Sequence, residues 1–375
     1  ITDFCKMEAD ALREFSDLPT TTNMMGFFKG VDYNTLKNAV DIISWDNYPF
    51  WHERKDEVPE AVYTSAGNAL MRSLKREPFL LMESTPSSVS WRSHNPLKRP
   101  GMHMLSSMQA VAHGADSVQY FQWRKGRGSF EQYHGAVVDH LGKDDTRIFR
   151  EVAEVGALLK KIAPAAGTLV KAKTALLFDW DNRWAIQDVK ALSENTKNYE
   201  KTCIGIWKEF QKLGVEMDVV SSNDDLSDYK VVVAPMLYLL QSGTAENLQK
   251  FVKNGGQLLA TYFTGYVDKD TLCYLGGFPG DGLAELFGVI SEEIDTLYPS
   301  DRNSLCFLDG KKWTVYDYAE ILRVQDAQIL ASYGTDFYEG SAALTVKEWE
   351  SDTHTGENGR AYYIAARVAP EEMGS

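Results

Sequence analysis

The pattern of hydrophobic and polar positions is sharpest in one short stretch of the N-terminal half. Four apolar residues, Phe79 to Met82, run directly into Glu83, and small polar residues and Pro86 follow. A continuous apolar run bounded by turn-forming residues predicts a strand that is buried on both faces. Glu83 would then lie at the carboxyl end of the strand, where parallel α/β folds place their chemistry. The local pattern also fits a partly exposed loop acid.

Strands and helices alternate along the whole of this half. Apolar residues at helical spacing predict helices, and short apolar runs between polar turns predict strands. We predict strands over residues 20–26, 41–49, 78–86 and 116–124, and helices over residues 3–15, 33–40, 57–75, 100–113 and 149–162. Such alternation is typical of βα units that build a parallel sheet.

Each predicted strand of this half ends in polar or aromatic side chains. The carboxyl ends of parallel strands meet on one rim of a (β/α)8 barrel, so we expect these side chains to converge there. They are Asn23, Asp46, Asn47, Tyr48, Glu83, Gln122 and Trp123. A complete barrel has eight βα units and this sequence carries half of them. The predicted fold is therefore α/β, beginning with the second half of a TIM barrel.

The second half of the chain predicts a different α/β domain. A helix breaker among small residues at 163–167 marks the boundary, which gives predicted domains of residues 1–163 and 164–375. We predict strands over residues 173–178, 215–220, 230–234 and 257–263, and helices over residues 199–213 and 245–253. This order is typical of a doubly wound, flavodoxin-like sheet. Beyond Val289 we predict short strands that alternate with polar loops, among them residues 304–308, 313–318, 342–348 and 361–366.

Composition argues against several classes of partner. Of the 375 residues, 44% are hydrophobic and 12% are aromatic, which fits a packed chain long enough for two domains. The formal net charge is −14, with 39 basic and 53 acidic residues, which disfavours nucleic acid and anionic membranes as partners. No apolar run approaches the length that spans a membrane.

The four cysteines, Cys5, Cys203, Cys273 and Cys306, are widely spaced and form no CxxC pair. They predict neither a zinc site nor a disulfide framework, and a reduced, cytoplasmic setting is the simplest interpretation. The chain begins at Ile1 without an initiator methionine or a signal peptide, so we expect the natural polypeptide to start further upstream.

Several motifs together resemble glycoside hydrolase family 42, the β-galactosidases. They are residues 44–49 (SWDNYP), the strand end 82–84 (MES), Trp91, residues 121–124 (FQWR) and residues 131–135 (EQYHG). Their order and spacing match the last four strands of that family's barrel, and the region after Ala163 resembles its trimer-forming domain. The resemblance covers essentially the whole chain. It implies hydrolysis of terminal non-reducing β-D-galactose residues with retention of configuration.

The resemblance also implies roles for individual positions. Glu83 matches the catalytic nucleophile at the end of the seventh strand, and Trp91 matches a tryptophan that lines the galactose site. Glu131 and His134 match a polar pair that binds sugar hydroxyls. Residues on matching rim positions, expected to shape the pocket, are Asp46, Tyr48 and Trp123. No metal ligand and no cofactor is assigned to this chain, and the implied partners are a galactoside and further copies in a homotrimer.

The residue types suit the implied chemistry. A retaining glycosidase needs two carboxyl groups about 5 Å apart, one as nucleophile and one as general acid and then base. If residues 131–134 are helical, Glu131 and His134 face the same side and can bracket vicinal sugar hydroxyls. From the residues alone, His134 equally fits a hydrogen-bonded loop histidine.

One part of the family's pattern is missing from this sequence. The family's general acid/base is a glutamate that follows an asparagine at the end of the fourth strand, and we expect that strand upstream of Ile1. The cysteine-based zinc cluster that some members carry would also lie upstream. We therefore expect this chain to be the C-terminal part of a β-galactosidase.

The second domain also resembles class I glutamine amidotransferase domains over residues 254–263. Those domains use a cysteine at a strand-to-helix elbow, and Cys273 lacks the flanking glycines of such an elbow. A structural role is therefore expected for this domain, and the family 42 resemblance implies that it forms the trimer. Two alternative functions stay open: a non-catalytic module for oligomerisation or sugar binding, and a related retaining barrel glycosidase such as an arabinopyranosidase.

Overall fold

The computed structural model describes residues 1–50, 56–190, 193, 197–351 and 357–374. The chain divides into two compact units, Ile1–Lys171 and Ala172–Ser375. The division lies C-terminal to the boundary predicted at residues 163–167. Within the described residues, every helix is too short or too polar to span a bilayer.

The first unit alternates strands and helices around a parallel sheet. Its strands are β1 (Asn23–Met24), β2 (Ser44–Asp46), β3 (Phe79–Glu83) and β4 (Ala115–Val118). Its helices are α1 (Thr2–Arg13), α2 (Tyr33–Leu36), α3 (Val58–Lys75), α4 (Met102–Ala112) and α5 (Arg147–Lys161), with 3-10 turns at Lys37–Ala39 and Ala163–Ala165. The sheet has the order β1-β2-β3-β4. The predicted alternation of βα units is confirmed, although the strands are shorter than predicted.

Local sequence explains where two of these helices begin and end. The Thr146 hydroxyl accepts a hydrogen bond from the Phe149 amide (3.2 Å) and caps α5, whose last turn carries Lys160 and Lys161. In α3 a proline occupies the first turn, where an amide proton is not needed, and the helix ends at Arg76 in the left-handed conformation.

The structure contradicts one detail of the prediction for β3. Phe79 and Leu81 are buried, whereas Leu80 and Met82 are only partly buried. Successive side chains of a strand point to opposite faces, so the two faces of this sheet are covered to different degrees within the unit. The prediction that both faces of the strand are buried is therefore wrong here.

The register of the sheet brings polar strand ends together. Asp46 lies opposite Glu83 across β2 and β3, and Asn23 pairs with Ser44 across β1 and β2. All of these strands run in the same direction, so their carboxyl ends share one edge of the sheet. The predicted convergence of strand ends is thus confirmed for β1, β2 and β3.

A tryptophan directly before Asp46 fixes β2 against helix α3. The Trp45 ring is 2% exposed and lies on Gly67, where a Cβ atom would come within 2.8 Å of it. Gly26, with a φ of +56°, approaches the same ring, which would lie 3.1 Å from a Cβ atom there. The missing side chains at these two positions leave room for the large ring next to the strand end that carries Asp46.

The second unit is built on a sheet that is larger than predicted. Its helices are α6 (Trp180–Asp188), α7 (Tyr199–Lys212), α8 (Thr244–Lys253), α9 (Leu283–Phe287) and α10 (Pro370–Met373). Its strands are β5 (Thr174–Leu177), β6 (Met217–Val220), β7 (Val231–Ala234), β8 (Leu239–Leu240), β9 (Gln257–Thr261), β10 (Val267–Asp268), β11 (Val289–Asp295), β12 (Asn303–Phe307), β13 (Lys312–Val324), β14 (Gln328–Tyr333), β15 (Ala342–Trp349), β16 (Gly359–Ile364) and β17 (Ala366–Val368).

The parallel part of this sheet has the flavodoxin-like order that the sequence predicts. It runs β6-β5-β7-β9-β16, and antiparallel strands continue the same sheet as β15-β14-β12-β13-β11. β8 and β10 form a separate parallel pair. The α/β fold of the unit is confirmed, and the antiparallel continuation is an addition to the prediction.

Several elements of the second unit escape the sequence analysis. Residues 180–188 form a helix where only a strand end is predicted, and neither β11 nor β14 is among the predicted strands. β13 is 13 residues long and pairs with β11, β12 and β17 along different parts of its length. Its extent is therefore set by partners that a local pattern does not reveal.

The turn after β7 has an elbow-like backbone, but its residue is a methionine. Met236 adopts a φ of +45° and is buried. Cys273 is exposed, and its thiol lies 3.7 Å from the Thr271 carbonyl. Neither position is a cysteine at an elbow, which is consistent with the structural role expected for this unit.

Replacing Gly67 tests how tightly Trp45 is held. We expect Gly67→Ala to destabilise the first unit by about 1–2 kcal/mol, because overlap with a buried ring outweighs the gain in helix propensity. Gly156→Ala in α5 is the matched control, since nothing lies within 4 Å of a Cβ atom there. Native-state hydrogen exchange at the Leu70 and Met71 amides measures the local free energy of opening. Equal exchange in the two variants would contradict the prediction.

Candidate active site

A hydrogen-bonded group of side chains lies at the carboxyl ends of β1, β2 and β3. The Asn23 amide nitrogen donates to both carboxylate oxygens of Asp46 (2.8 and 3.0 Å) and to Oε1 of Glu83 (3.2 Å). The Tyr48 hydroxyl donates to Oε2 of Glu83 at 2.6 Å. The two carboxylates therefore share one amide donor, and each oxygen of Glu83 accepts a hydrogen bond.

Burial and nearby negative charge shift the pKa values of two side chains in this group. The pKa of Asp46 is raised to about 6, mainly by burial and further by the Glu83 charge, while the Asn23 hydrogen bonds oppose the shift. The pKa of Tyr48 is also raised, by burial first and then by its hydrogen bond to Glu83. Tyr48 is therefore a neutral hydrogen-bond donor throughout the neutral pH range.

Aromatic rings surround His134 beside this group. Trp91 stacks on the imidazole with ring centroids 5.1 Å apart and planes inclined by 27°. Tyr48 and Phe121 contact the same imidazole edge-on, at 5.8 and 5.0 Å. Trp91 nevertheless remains 53% exposed, so its indole offers an apolar surface of the kind on which a sugar ring packs.

His134 is buried and has a defined tautomer. Its Nδ1 lies 2.9 Å from the Gly135 carbonyl, which can only accept a hydrogen bond, so Nδ1 carries a proton. Burial lowers the pKa of His134 despite opposing contributions from Gly135, Glu131 and Glu83, and the ring is neutral at pH 7. Nε2 is buried and has no hydrogen-bond partner within the described part of the chain. It is therefore an available acceptor for a hydroxyl group.

Glu131 lies on the turn that precedes His134. Residues 131–133 form a turn in which the His134 amide donates to the Glu131 carbonyl at 2.9 Å. The helical arrangement considered for residues 131–134 is wrong because the chain turns here, which leaves Glu131 exposed and His134 buried. The Glu131 charge still acts on both side chains, because it adds to the rise in the pKa of Tyr48 and opposes the fall in the pKa of His134.

Trp123 contacts a different aromatic side chain. Its ring is 66% exposed and contacts Phe149 edge-on with centroids 6.5 Å apart. The ring contacts of the described residues do not join Trp123 to the aromatic rings around His134. The predicted residues that the structure does bring together are Asp46, Tyr48, Glu83, Trp91, Glu131 and His134.

Two residues of the site have no role assigned to them from the sequence, although Asn23 is among the strand ends expected to converge. Asn23 bridges Asp46 and Glu83, and its position at a strand end is the only signal of this role in the sequence. Arg92 donates a hydrogen bond to the Tyr48 carbonyl and lies over the Phe50 ring, 4.7 Å from its centroid. It ties the loop that carries Trp91 to the end of β2, a contact that no local motif indicates.

The gathered side chains suit recognition of hydroxyl groups together with nucleophilic or acid–base chemistry. They comprise carboxylates, an amide, a phenol, an indole and an imidazole. No group of three or more His, Cys, Asp and Glu residues in the described ranges has a geometry that could hold a metal ion. All four cysteines are free thiols.

Family models match both units of the chain. The β-galactosidase model of glycoside hydrolase family 42 matches residues 1–162, and the family's β-galactosidase trimerisation domain model matches residues 172–374. The chain belongs to glycoside hydrolase family 42. The resemblance seen in the strand-end motifs is thereby confirmed for both halves of the sequence.

Curated relatives extend the family 42 match. The β-galactosidase BglY of Alicyclobacillus acidocaldarius is 47% identical over 373 residues, a match that covers 98% of this chain and 53% of BglY. The β-galactosidase Pbg of Clostridium perfringens is 44% identical over 376 residues, covering 97% of this chain and 53% of Pbg. The chain therefore spans about half the length of the curated relatives it matches.

Solved structures of family 42 share the fold along the whole chain. The β-galactosidase from Rahnella sp. R3 matches with a TM-score of 0.93 and 45% identity, covering 100% of this chain and 55% of that one. Gan42B, a family 42 β-galactosidase from G. stearothermophilus, also has a TM-score of 0.93, with 44% identity over 99% of this chain and 54% of its own. The half-barrel followed by a trimerisation domain is thus a family 42 arrangement.

The pKa of Asp46 reports on the shared amide donor. Glu83→Gln removes a neighbouring charge and is expected to lower the pKa of Asp46 below about 6, whereas Asn23→Ala removes opposing hydrogen bonds and is expected to raise it. The carboxyl 13C shift of Asp46, assigned with Asp46→Asn, gives the pKa in an NMR titration. Glu77→Gln, at the other end of β3, should leave it unchanged. Shifts of the same sign in the first two variants would contradict the shared-donor account.

Proposed function

We propose that this protein is a retaining β-galactosidase that removes terminal non-reducing β-D-galactose, with Glu83 as its nucleophile. The observation that carries the proposal is the Glu83 carboxylate at the end of β3, with Asn23 3.2 Å from one oxygen and Tyr48 2.6 Å from the other. Two donors hold the carboxylate in one orientation, as attack on an anomeric carbon requires. The β-galactosidase names of relatives at 42–47% identity support the substrate class.

Sugar recognition in this proposal uses the residues around His134. Trp91 packs its exposed indole against the galactose ring, and His134 accepts a hydrogen bond from a sugar hydroxyl through Nε2. Glu131 supplies a second acceptor from the preceding turn. Asp46 orients Asn23, and Trp123 lines the outer rim, where its exposed ring can meet the leaving-group part of the substrate.

The reaction proceeds by two displacements. An oxygen of Glu83 attacks the anomeric carbon from the face opposite the leaving group, whose bond breaks as a general acid protonates its oxygen. A water molecule, deprotonated by the same group acting as base, then displaces Glu83, and the two inversions give net retention. In this proposal the chain supplies the nucleophile and part of the sugar site, and the acid/base is a glutamate from the half of the curated relatives that this chain does not match.

We also propose that the protein assembles as a homotrimer through its second unit. The trimerisation domain model that matches residues 172–374 supports this assembly.

A cytoplasmic setting is inferred from the four free thiols, since disulfides are rare in that compartment.

Mechanism-based labelling tests the role of Glu83. A 2,4-dinitrophenyl 2-deoxy-2-fluoro-β-D-galactoside has a leaving group that needs little protonation, so it can react without the acid/base. We expect the intact mass of the chain to rise by one fluorogalactosyl group and peptide mapping to place that group on Glu83. Glu83→Gln should abolish the label, whereas Glu77→Gln should take it up at the wild-type rate. Label on another residue, or a folded wild-type chain that takes none, would count against the proposal.

Light scattering coupled to size-exclusion chromatography tests the assembly. The expected mass is three times the 42.2 kDa of one chain, because residues 172–374 of each copy match the trimerisation domain model. The measurement over a tenfold range of protein concentration separates a stable trimer from weak association. A single monomeric species at every concentration would contradict the proposed trimer.

A further inference from the structure

Lys98 is a buried charge in the loop that joins β3 to α4. Its side chain is only 3% exposed, and lysine is almost never fully buried unless it is paired. Burial lowers the pKa of Lys98 to about 8, with Glu151 of α5 acting in the opposite direction. The fold therefore bears a desolvation cost at this position, which its contacts have to offset.

The contacts of Lys98 close the base of the loop. Its Nζ donates to the Thr85 carbonyl at 2.7 Å, and its backbone amide donates to the Ser87 carbonyl at 3.0 Å. Its own carbonyl accepts from the Arg147 guanidinium of α5 at 3.2 Å. Arg147 is in turn paired with Glu151 at 2.8 Å. One residue thus joins the start of the loop, its end and a neighbouring helix.

The start of this loop is also packed against the turn that carries His134. The Thr85 hydroxyl donates to the Ser88 carbonyl at 3.0 Å, and the Gly135 amide donates to the same carbonyl at 2.6 Å. A Cβ atom at Gly135 would come within 2.5 Å of the Thr85 hydroxyl, so this approach requires glycine. Trp91, which stacks on His134, lies in the sequence between the start of the loop and Lys98, both of which these hydrogen bonds hold in place.

We propose that Lys98 is a positioning residue for Glu83 and Trp91. It holds the carbonyl of Thr85, two residues after Glu83, and it closes the loop that presents Trp91 to His134. Loss of the ammonium would leave a buried carbonyl without its donor and would release the start of the loop. The effect of Lys98 on the reaction of Glu83 rests on the proposed function, whereas its anchoring of the loop does not.

Fluorine NMR with 5-fluorotryptophan tests the anchoring without any substrate. Trp91→Phe identifies the Trp91 resonance, which stacking on His134 displaces from its solvent-exposed value. In Lys98→Met we expect this resonance to move toward the exposed value or to broaden, while the Trp45 resonance stays in place. Lys160→Met, on the surface of α5, is the matched control and should change neither resonance.

The conservative variant separates positioning from general packing. Lys98→Arg keeps a charged donor and should restore the Trp91 resonance at least in part, which Lys98→Met cannot do. An unchanged Trp91 resonance in folded Lys98→Met would overturn the proposal. If circular dichroism shows that Lys98→Met is unfolded, Arg147→Met provides the test in its place. This variant removes the donor to the Lys98 carbonyl and leaves the Lys98 ammonium intact. It should shift the Trp91 resonance in the same direction, and no shift would overturn the proposal.

Labelling kinetics with the fluorogalactoside give the second readout. Lys98→Met should lower the maximal rate of Glu83 labelling by about 10- to 100-fold, since a displacement of about 1 Å has effects of that size. It should also raise the reagent concentration that gives half the maximal rate, whereas Lys160→Met should change neither value. A shifted Trp91 resonance with unchanged kinetics would overturn the positioning role. If the wild-type chain takes no label, the proposed function fails while the fluorine spectra still decide whether Lys98 anchors the loop.

Discussion

One side-chain amide holds two carboxylates together at the edge of the first sheet. The strand register sets Asp46 beside Glu83, and like charges in one site repel. Asn23 offsets that repulsion by donating to both residues, while burial and, to a smaller extent, the Glu83 charge raise the pKa of Asp46. The geometry of Glu83 therefore depends on a residue from another strand, 60 positions away in the sequence.

The surrounding structure keeps this arrangement in place from several directions. Trp45, packed on Gly67 of α3, fixes the backbone just before Asp46. Arg92 ties the loop after β3 to the Tyr48 carbonyl, and the base of the same loop is closed by Lys98. These contacts come from β2, from α3 and from the loop after β3, so the position of Glu83 depends on the packed unit and not only on its own strand.

The same contacts separate the roles of the two carboxylates. Both oxygens of Asp46 accept from Asn23, so a proton on Asp46 would compete with a hydrogen bond already made. Asp46 is thus suited to orient the amide, whereas Glu83 presents a carboxylate held by two separate donors.

The fold class of both units and most of the strand-end residues can be predicted from the sequence. Hydrophobic periodicity is a local property of an element, so it predicts the βα units and places Asp46 and Glu83 at strand ends. The packing of the folded chain establishes that Asn23 bridges them, that residues 131–134 turn instead of forming a helix, and that the Trp123 ring contacts Phe149. It also decided that antiparallel strands continue the second sheet. These features depend on contacts between elements that are distant in the chain, and the periodicity within one element carries no information about its partners.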